Sequence, residues 1–384
     1  MEINSKTTII MKKDWIVKEE DLDQIEIDIL RETLEDKSLI VSGCAGSGKS
    51  LMAVKLAQRI EKEMKSPHKI LVYTKALEEF IREGARTLEL SSKLTHYHLW
   101  RWKYDKKGNV IGDNRTRTDY FIVDEIQDFT KDEVKEFINY TNKHFLFFGD
   151  TAQTLYSDRN PLPVDDIKNL IKEGHKYKEF LLYYNYRLPL HIAEAVQKVG
   201  VNLEPFEKGK YKSKENTYAH IIKYNSIYEE IEEIANYCKE KRSSDIAILV
   251  PTKEDVISMF NGLKEHNIHC EMKYDAPEIY RQGKGNVPDN YRNSVDSLDM
   301  STDNPKIMTF HSSKGLQFET VFIAGIRDYD NAYLRHLRKP LYVAMTRTYK
   351  NLYVLYSGWM PHPLSDIPNK LYIDSMIDYK VIDK

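Results

Sequence analysis

Eight residues constrain this chain more than any others. Gly43-Cys44-Ala45-Gly46-Ser47-Gly48-Lys49-Ser50 fits the pattern G-x-x-x-x-G-K-[ST]. A short β-prone run, Ser38-Leu39-Ile40-Val41, stops at the first glycine, and a helical pattern opens just after the serine. A strand that turns through glycines into a helix aims backbone N–H groups and the positive helix end at one point, which suits phosphate. There Gly43, Gly46, Ser47 and Gly48 form the cradle. Lys49 reaches the outer phosphates, and the Ser50 hydroxyl joins a Mg²⁺ shell. A chance glycine-rich turn is the bland alternative, but it has no need of Lys-Ser or of those flanks. Cys44, inside the loop, reads as a small filler; redox control is the other reading.

Further apolar runs occur at Ile70-Leu71-Val72-Tyr73, Tyr120-Phe121-Ile122-Val123 and Phe145-Leu146-Phe147-Phe148. They are nearly continuous, as parallel strands covered on both faces must be, and helix-like stretches over 51–65 and 131–139 separate them. The second half repeats the theme, with helices over 227–239 and 256–265 and strands over 246–250, 306–309, 320–324 and 351–355. The class is α/β, doubly wound. A chain of 384 residues is long for one core, so two domains are expected, at 1–180 and 181–384, joined near 173–182. Residues 275–304 are polar and rich in Gly, Pro and Asn, and read as an irregular loop.

At the end of one predicted strand stand Asp124-Glu125-Ile126-Gln127-Asp128. Strand C-termini in such sheets converge on the ligand crevice. Asp124 can hold Mg²⁺, directly or through water, while Glu125 can orient and deprotonate an attacking water. The plain alternative is an acidic helix start.

Composition adds exclusions. With 41% apolar and 30% charged residues the chain is too hydrophobic to be disordered. Lys+Arg (57) and Asp+Glu (59) nearly balance, which decides nothing about nucleic acid, because a local basic groove can lie on a neutral body. Three scattered cysteines without CxxC spacing read as reduced thiols. No signal-like core or membrane-length run appears, so a cytoplasmic protein is expected.

Taken in order, the motifs resemble those of the superfamily 1 helicases of the UvrD/Rep type. Gln24 resembles the glutamine that reads adenine in that family. Val72-Tyr73-Thr74-Lys75-Ala76 and Tyr97-His98 are similar to its two strand-gripping motifs, one residue short in the first case. Asp124-Glu125-Ile126-Gln127-Asp128 matches D-E-x-Q-D. Gly149-Asp150-Thr151-Ala152-Gln153-Thr154-Leu155-Tyr156 matches the motif whose glutamine senses the γ-phosphate. Asn185-Tyr186-Arg187 matches N-Y-R, and residues 309–318 resemble T-x-H-x-x-K-G-L-E-F. Tyr342-Val343-Ala344-Met345-Thr346-Arg347 matches Y-V-A-x-T-R.

The resemblance implies two RecA-like P-loop NTPase domains with ATP and Mg²⁺ between them. It implies catalytic roles for Lys49, Glu125, Gln153, Arg187 and Arg347, with Tyr186 stacking on adenine and Gln317 at the ribose. Strand contacts fall to Tyr73, Thr74, His98, Tyr156 and His311. The function it implies is a Mg·ATP-dependent helicase or translocase on single-stranded DNA, running 3′ to 5′. A protein partner such as a nuclease, in DNA repair or phage defence, fits the same picture. An ATP-operated switch or scaffold without translocation is the rival reading.

Departures from the family pattern are specific. Its two large insertions are nearly absent, leaving a small hairpin near Lys106-Lys107-Gly108-Asn109. Asp158 stands where a base-stacking tryptophan is usual, Leu51 where an arginine often flanks adenine, and Gln317 where a glutamate is usual. Trp100 and Trp102 read equally as base-stacking residues or as packing.

Overall fold

The computed structural model describes residues 15–375, except 16, 18, 33, 35, 74, 92, 106–108, 154–158, 202, 242–244, 274–297, 301 and 328–330. Its first half carries strands β1 (Ser38–Gly43), β2 (His68–Val72), β3 (Lys93–His96), β4 (Trp102–Tyr104), β5 (Val110–Asp113), β6 (Thr118–Val123), β7 (Thr141–Gly149) and β8 (Tyr177–Leu182). Helices α1 (Gln24–Arg31), α2 (Lys49–Arg59), α3 (Lys75–Thr87), α4 (Tyr97–Arg101) and α5 (Lys131–Asn139) connect them. Six of these strands form one sheet in the order β3-β2-β6-β7-β1-β8, every neighbouring pair parallel.

Burial explains why the strand sequences are apolar at successive positions. Leu39, Val41, Ile70, Val72, Ile122 and Phe148 pack on one face with residues of α2 and α3. Ile40, Leu71, Phe121, Val123, Phe145 and Phe147 pack on the other with Val134 and Phe137 of α5. A sheet covered on both sides has no polar face to alternate with.

The second half repeats the design with β9 (Ala219–Tyr224), β10 (Ile246–Val250), β11 (Glu271–Met272), β12 (Lys306–Thr309), β13 (Phe318–Ile326), β14 (Thr348–Ser357) and β15 (Tyr372–Ile373). They line up as β11-β12-β10-β13-β14-β9-β15, again all parallel. Helices α6 (Leu190–Val196), α7 (Ile227–Glu240), α8 (Lys253–Glu265), α9 (Asn331–Met345) and α10 (His362–Ser365) flank the sheet. Ile248, Val250, Phe322 and Tyr353 pack with α7 and α8, while Leu249, Val321 and Val354 join an apolar cluster that runs into the first half.

One expectation needs correction. Residues 177–182 are not a linker: they are β8, paired with β1 from Ser38↔Tyr177 to Gly43↔Leu182. The first sheet therefore runs past the expected boundary at 180/181. As an edge strand with mostly exposed side chains, β8 lacks the apolar run that marks the buried strands. The Tyr342–Arg347 motif closes a long helix, α9, which had not been anticipated.

The expected hairpin exists as β4 and β5, antiparallel from Trp102↔Asp113, although its tip lies outside the described residues. Most of the expected loop over 275–304 lies outside them too. Tyr372–Ile373 form β15 at the sheet edge, paired with β9. No described helix is long and apolar enough to cross a membrane.

Candidate functional site

β1 delivers the glycine loop from between β7 and the edge strand β8, and α2 starts at Lys49. The two glycines inside the loop take left-handed backbone, φ +78° at Gly46 and +89° at Gly48. A Cβ on Gly46 would lie 2.6 Å from the Arg187 Cβ, and one on Gly48 2.8 Å from Glu26 Oε1. Both positions thus require glycine for conformation and for space. Lys49 Nζ donates to the Gly43 and Cys44 carbonyls, at 2.7 and 2.9 Å. The Ser47 hydroxyl is buried without a partner.

Ser50 Oγ donates to Asp124 Oδ2 at 2.5 Å, while Asp124 Oδ1 accepts the Glu125 N–H at 2.9 Å. A hydroxyl and a carboxylate in contact are the hard oxygen donors that Mg²⁺ takes. Among the described residues no group of three or more His, Cys, Asp or Glu could hold a metal. Phosphate oxygens and waters can complete the shell of a Mg²⁺ at Ser50 and Asp124. Burial and then the neighbouring Glu125 charge raise the Asp124 pKa to about 6. A divalent cation would reverse that preference.

Glu125 sits in left-handed backbone, φ 55°, directly after β6. Burial works to raise its pKa, but Lys314, Lys49 and Arg347 together hold it below the usual range. Gln127 Nε2 donates to Glu125, and Gln127 Oε1 accepts the Asp150 N–H at 2.9 Å. Asp150 accepts from Gln153 Nε2 at 2.6 Å, and Gln153 Oε1 accepts from Arg347 Nη2 at 2.7 Å. This unbroken chain runs from the acidic motif to a guanidinium of the second half. Arg347 is 1% exposed, held also by the Val343 carbonyl and Thr346 Oγ1, both at 2.8 Å.

The Asn185-Tyr186-Arg187 segment is fastened to the loop itself. Asn185 Nδ2 donates to the Ala45 carbonyl at 2.6 Å, and the Tyr186 N–H to the Gly46 carbonyl at 2.9 Å. Arg187 Nε donates to Gln317 Oε1 at 3.2 Å. Burial and then the like charge of Arg347 both disfavour the charged form of Arg187. Two guanidiniums and the Lys49 ammonium thus converge on a cleft with an acceptor deficit, which anionic oxygens would fill.

That cleft, with a volume of 850 Å³, is lined by Gly46 through Leu51 and by Glu125, Gln153, Tyr186, Arg187, Gln317 and Arg347. The structure thus gathers nearly every residue expected at the nucleotide. Gly43 and Asp124 are not in that lining but bond Lys49 and Ser50, which are; Gln24 is turned away. Its amide donates to Asp28 Oδ1 at 2.8 Å on the exposed side of α1, because Ile25, Glu26 and Ile29 occupy the inward positions of that short helix. Glu26, 3% exposed, lines the cleft instead.

The expected strand contacts are placed less completely. Tyr73 and His98 stand near each other, ring centroids 6.5 Å apart, with the Arg159 guanidinium 5.2 Å over the Tyr73 ring. His311 is exposed just after β12. Thr74 and Tyr156 lie outside the described residues, as does Asp158. Trp100 is core, 2% exposed and edge-on to Phe121, Phe137 and Tyr140; half-buried Trp102 carries Arg101 at 5.2 Å from its ring.

Lys314, Asp128 and Asn185 were not singled out as site residues. Lys314 is 2% exposed, bonded to Asp128 and 3.8 Å from Glu125. All three lie inside motifs quoted from the sequence, so the signal was present; which half each would bridge was not.

The family model for an AAA domain matches residues 26–159, and that for the UvrD-like helicase C-terminal domain matches residues 306–355. Among solved structures the chain is similar to the C-terminal domain of a possible DNA helicase from Lactobacillus plantarum WCFS1, at 13% identity and a TM-score of 0.34. That match covers 49% of this chain and 97% of that one. No curated protein matches. The two family models fall one on each sheet, and the two halves are RecA-like P-loop domains. The UvrD-like C-terminal model falls on β12 through β14, and over those residues the chain is similar to UvrD-like helicases.

Proposed function

We propose that this chain is a Mg·ATP-dependent motor that moves along single-stranded nucleic acid, DNA in the first place, in the 3′ to 5′ direction. The observation that carries the reading is the convergence of Lys49 from one half with Arg187 and Arg347 beyond the other side of one cleft, around Glu125. Phosphoryl transfer spreads charge over the transferred oxygens, so cations from opposite sides stabilise its transition state. Bound at Ser50 and Asp124, Mg²⁺ would neutralise phosphate charge and orient the chain of oxygens.

The protein's own groups divide the remaining work. Glu125 orients the attacking water and takes its proton. Lys49 leaves its loop carbonyls for the outer phosphates. Gln153, bonded at once to Asp150 and Arg347, links the acidic motif to the second domain. Closure of the two domains thereby becomes coupled to nucleotide state. Tyr73, Thr74, His98, Tyr156 and His311 would carry the strand, with Arg159 over Tyr73 adding a guanidinium plane on which a base can stack. The short hairpin in place of a large insertion supports a motor that works beside a partner, such as a nuclease in DNA repair or phage defence.

Steady-state hydrolysis with Mg²⁺, with and without single-stranded DNA and RNA, tests the proposal. Strong stimulation by DNA is expected, with Lys49→Ala and Glu125→Gln each lowering turnover by about 10²-fold or more. Turnover indifferent to every strand, alone or with a partner, overturns it in favour of an ATP-operated switch.

A further inference from the structure

A second cavity, of 350 Å³, opens between the start of α5 and the β4–β5 hairpin. His98 and Arg159, the two residues that stand at Tyr73, also line it, so it adjoins the path read for the strand. Its size is that of a small-ligand site. Half-buried Trp102 of β4 forms one wall, fixed by its pairing with Asp113 and by the Arg101 guanidinium 5.2 Å from its ring. α5 lends three carboxylates, Asp132, Glu133 and Glu136. Arg159 holds Glu133 at 2.6 Å and Arg101 holds Glu136 at 2.8 Å, whereas Asp132 has only Lys135, at 3.5 Å, among the described residues. Two guanidiniums against three carboxylates leave the lining negative. His98 adds no charge, because burial and then the neighbouring His96 and Arg159 lower its pKa.

A backbone phosphate would meet this lining as a like charge. A neutral, flat base fits it better, stacking on Trp102 and hydrogen-bonding to the carboxylate with spare capacity. A carboxylate can only accept. Cytosine turns an amino group toward it, whereas thymine, with the same ring, sets a carbonyl at that place. Resting on the strand reading above, we infer that this cavity takes one unstacked base of the bound strand, and prefers a base with an exocyclic amino group to thymine. Trp102 supplies the stacking and Asp132 the preference. The short hairpin thereby acquires a task of its own, which is to hold one wall of a base pocket.

The alternative is that Trp102 only packs the hairpin onto its neighbours. Binding of the full chain to fluorescent single strands about 16 nucleotides long, all cytosine, all thymine or abasic, is measured at pH 8 by anisotropy. In the parent chain the cytosine strand is expected to bind about five- to tenfold more tightly than the thymine strand. Trp102→Ala should weaken the cytosine strand about tenfold and leave the abasic strand unchanged. Asp132→Asn, on the exposed side of α5, keeps the test independent of the hairpin's folding. An asparagine can rotate to serve either base, so the preference should fall toward one with the thermal melt unchanged. Equal affinities for cytosine and thymine in the parent chain, or a preference that Asp132→Asn leaves untouched, overturn the inference while leaving strand binding intact. Equal loss on all three strands from Trp102→Ala marks a packing role and overturns it too. Failure of the parent chain to bind any strand would remove the strand reading as well.

Discussion

Glu230 lies on α7 out of contact with solvent, its Oε2 accepting the Gly325 N–H at 2.7 Å and its Oε1 without a hydrogen-bond partner among the described residues. Burial raises its pKa from 4.5 to about 7. The Gly325 bond and Arg327 oppose that rise, and Asp255 adds to it. Between those two values the folded chain keeps a proton that the unfolded chain has shed. Stability contributed at this site therefore declines as pH rises from about 4.5 to about 7, and is flat above. Glu230→Gln removes the titration and keeps an acceptor for Gly325. Melting curves of the two proteins should diverge as pH rises from 5 to 8, with the variant more stable by on the order of 2 kcal/mol at pH 8. A difference independent of pH would count against this account. Nothing in the sequence marks Glu230, which looks like any acidic residue of an amphipathic helix.

At the scale of elements, the glycine loop is where motif and geometry agree most closely. Gly46 has a left-handed φ and would press a Cβ onto Arg187, so Gly46→Ala should weaken nucleotide binding at least about tenfold and lower stability by about 1–3 kcal/mol. Titration calorimetry and a melt would show both, and an unchanged affinity would contradict the tight fit. Strands were legible where they form a continuous apolar run, as in β1, β6, β7 and β10, whereas buried β9, with His220 and Lys223 in it, was not. Edge strands were not. β3, β8 and β11 are short or exposed, and their pairing depends on partners remote in sequence. Gln24 went astray for a related reason: residues 24 and 26 are two apart on a helix, on different faces, and only the turn's capping box settles which looks inward.

Across the whole molecule, the halves are joined by buried polar contacts as well as by shared apolar core. Lys314 to Asp128 is the clearest, since both residues are at most 2% exposed. Removing either partner leaves a buried charge, so Lys314→Met and Asp128→Asn should each cost about 3–5 kcal/mol. The double variant should cost clearly less than their sum, with a coupling of about 1–3 kcal/mol in urea unfolding. Strict additivity would mean that the contact does not join the halves energetically. The sequence contained every member of these bridges, within motifs; what it withheld was the distance across the cleft.

The parallel arrangement of both sheets also bears on how the chain comes to fold. β1, one of the earliest strands, has no neighbour nearby in sequence, since Leu39 pairs with Leu146 and Ser38 with Tyr177. During synthesis the strand that carries the glycine loop lacks its first neighbour until β7 has been made, and its second until β8 has been made. Such non-local pairing is slow to form and leaves apolar strand edges open in the meantime. The loop that defines the protein is thus made well before the strands that hold it in place.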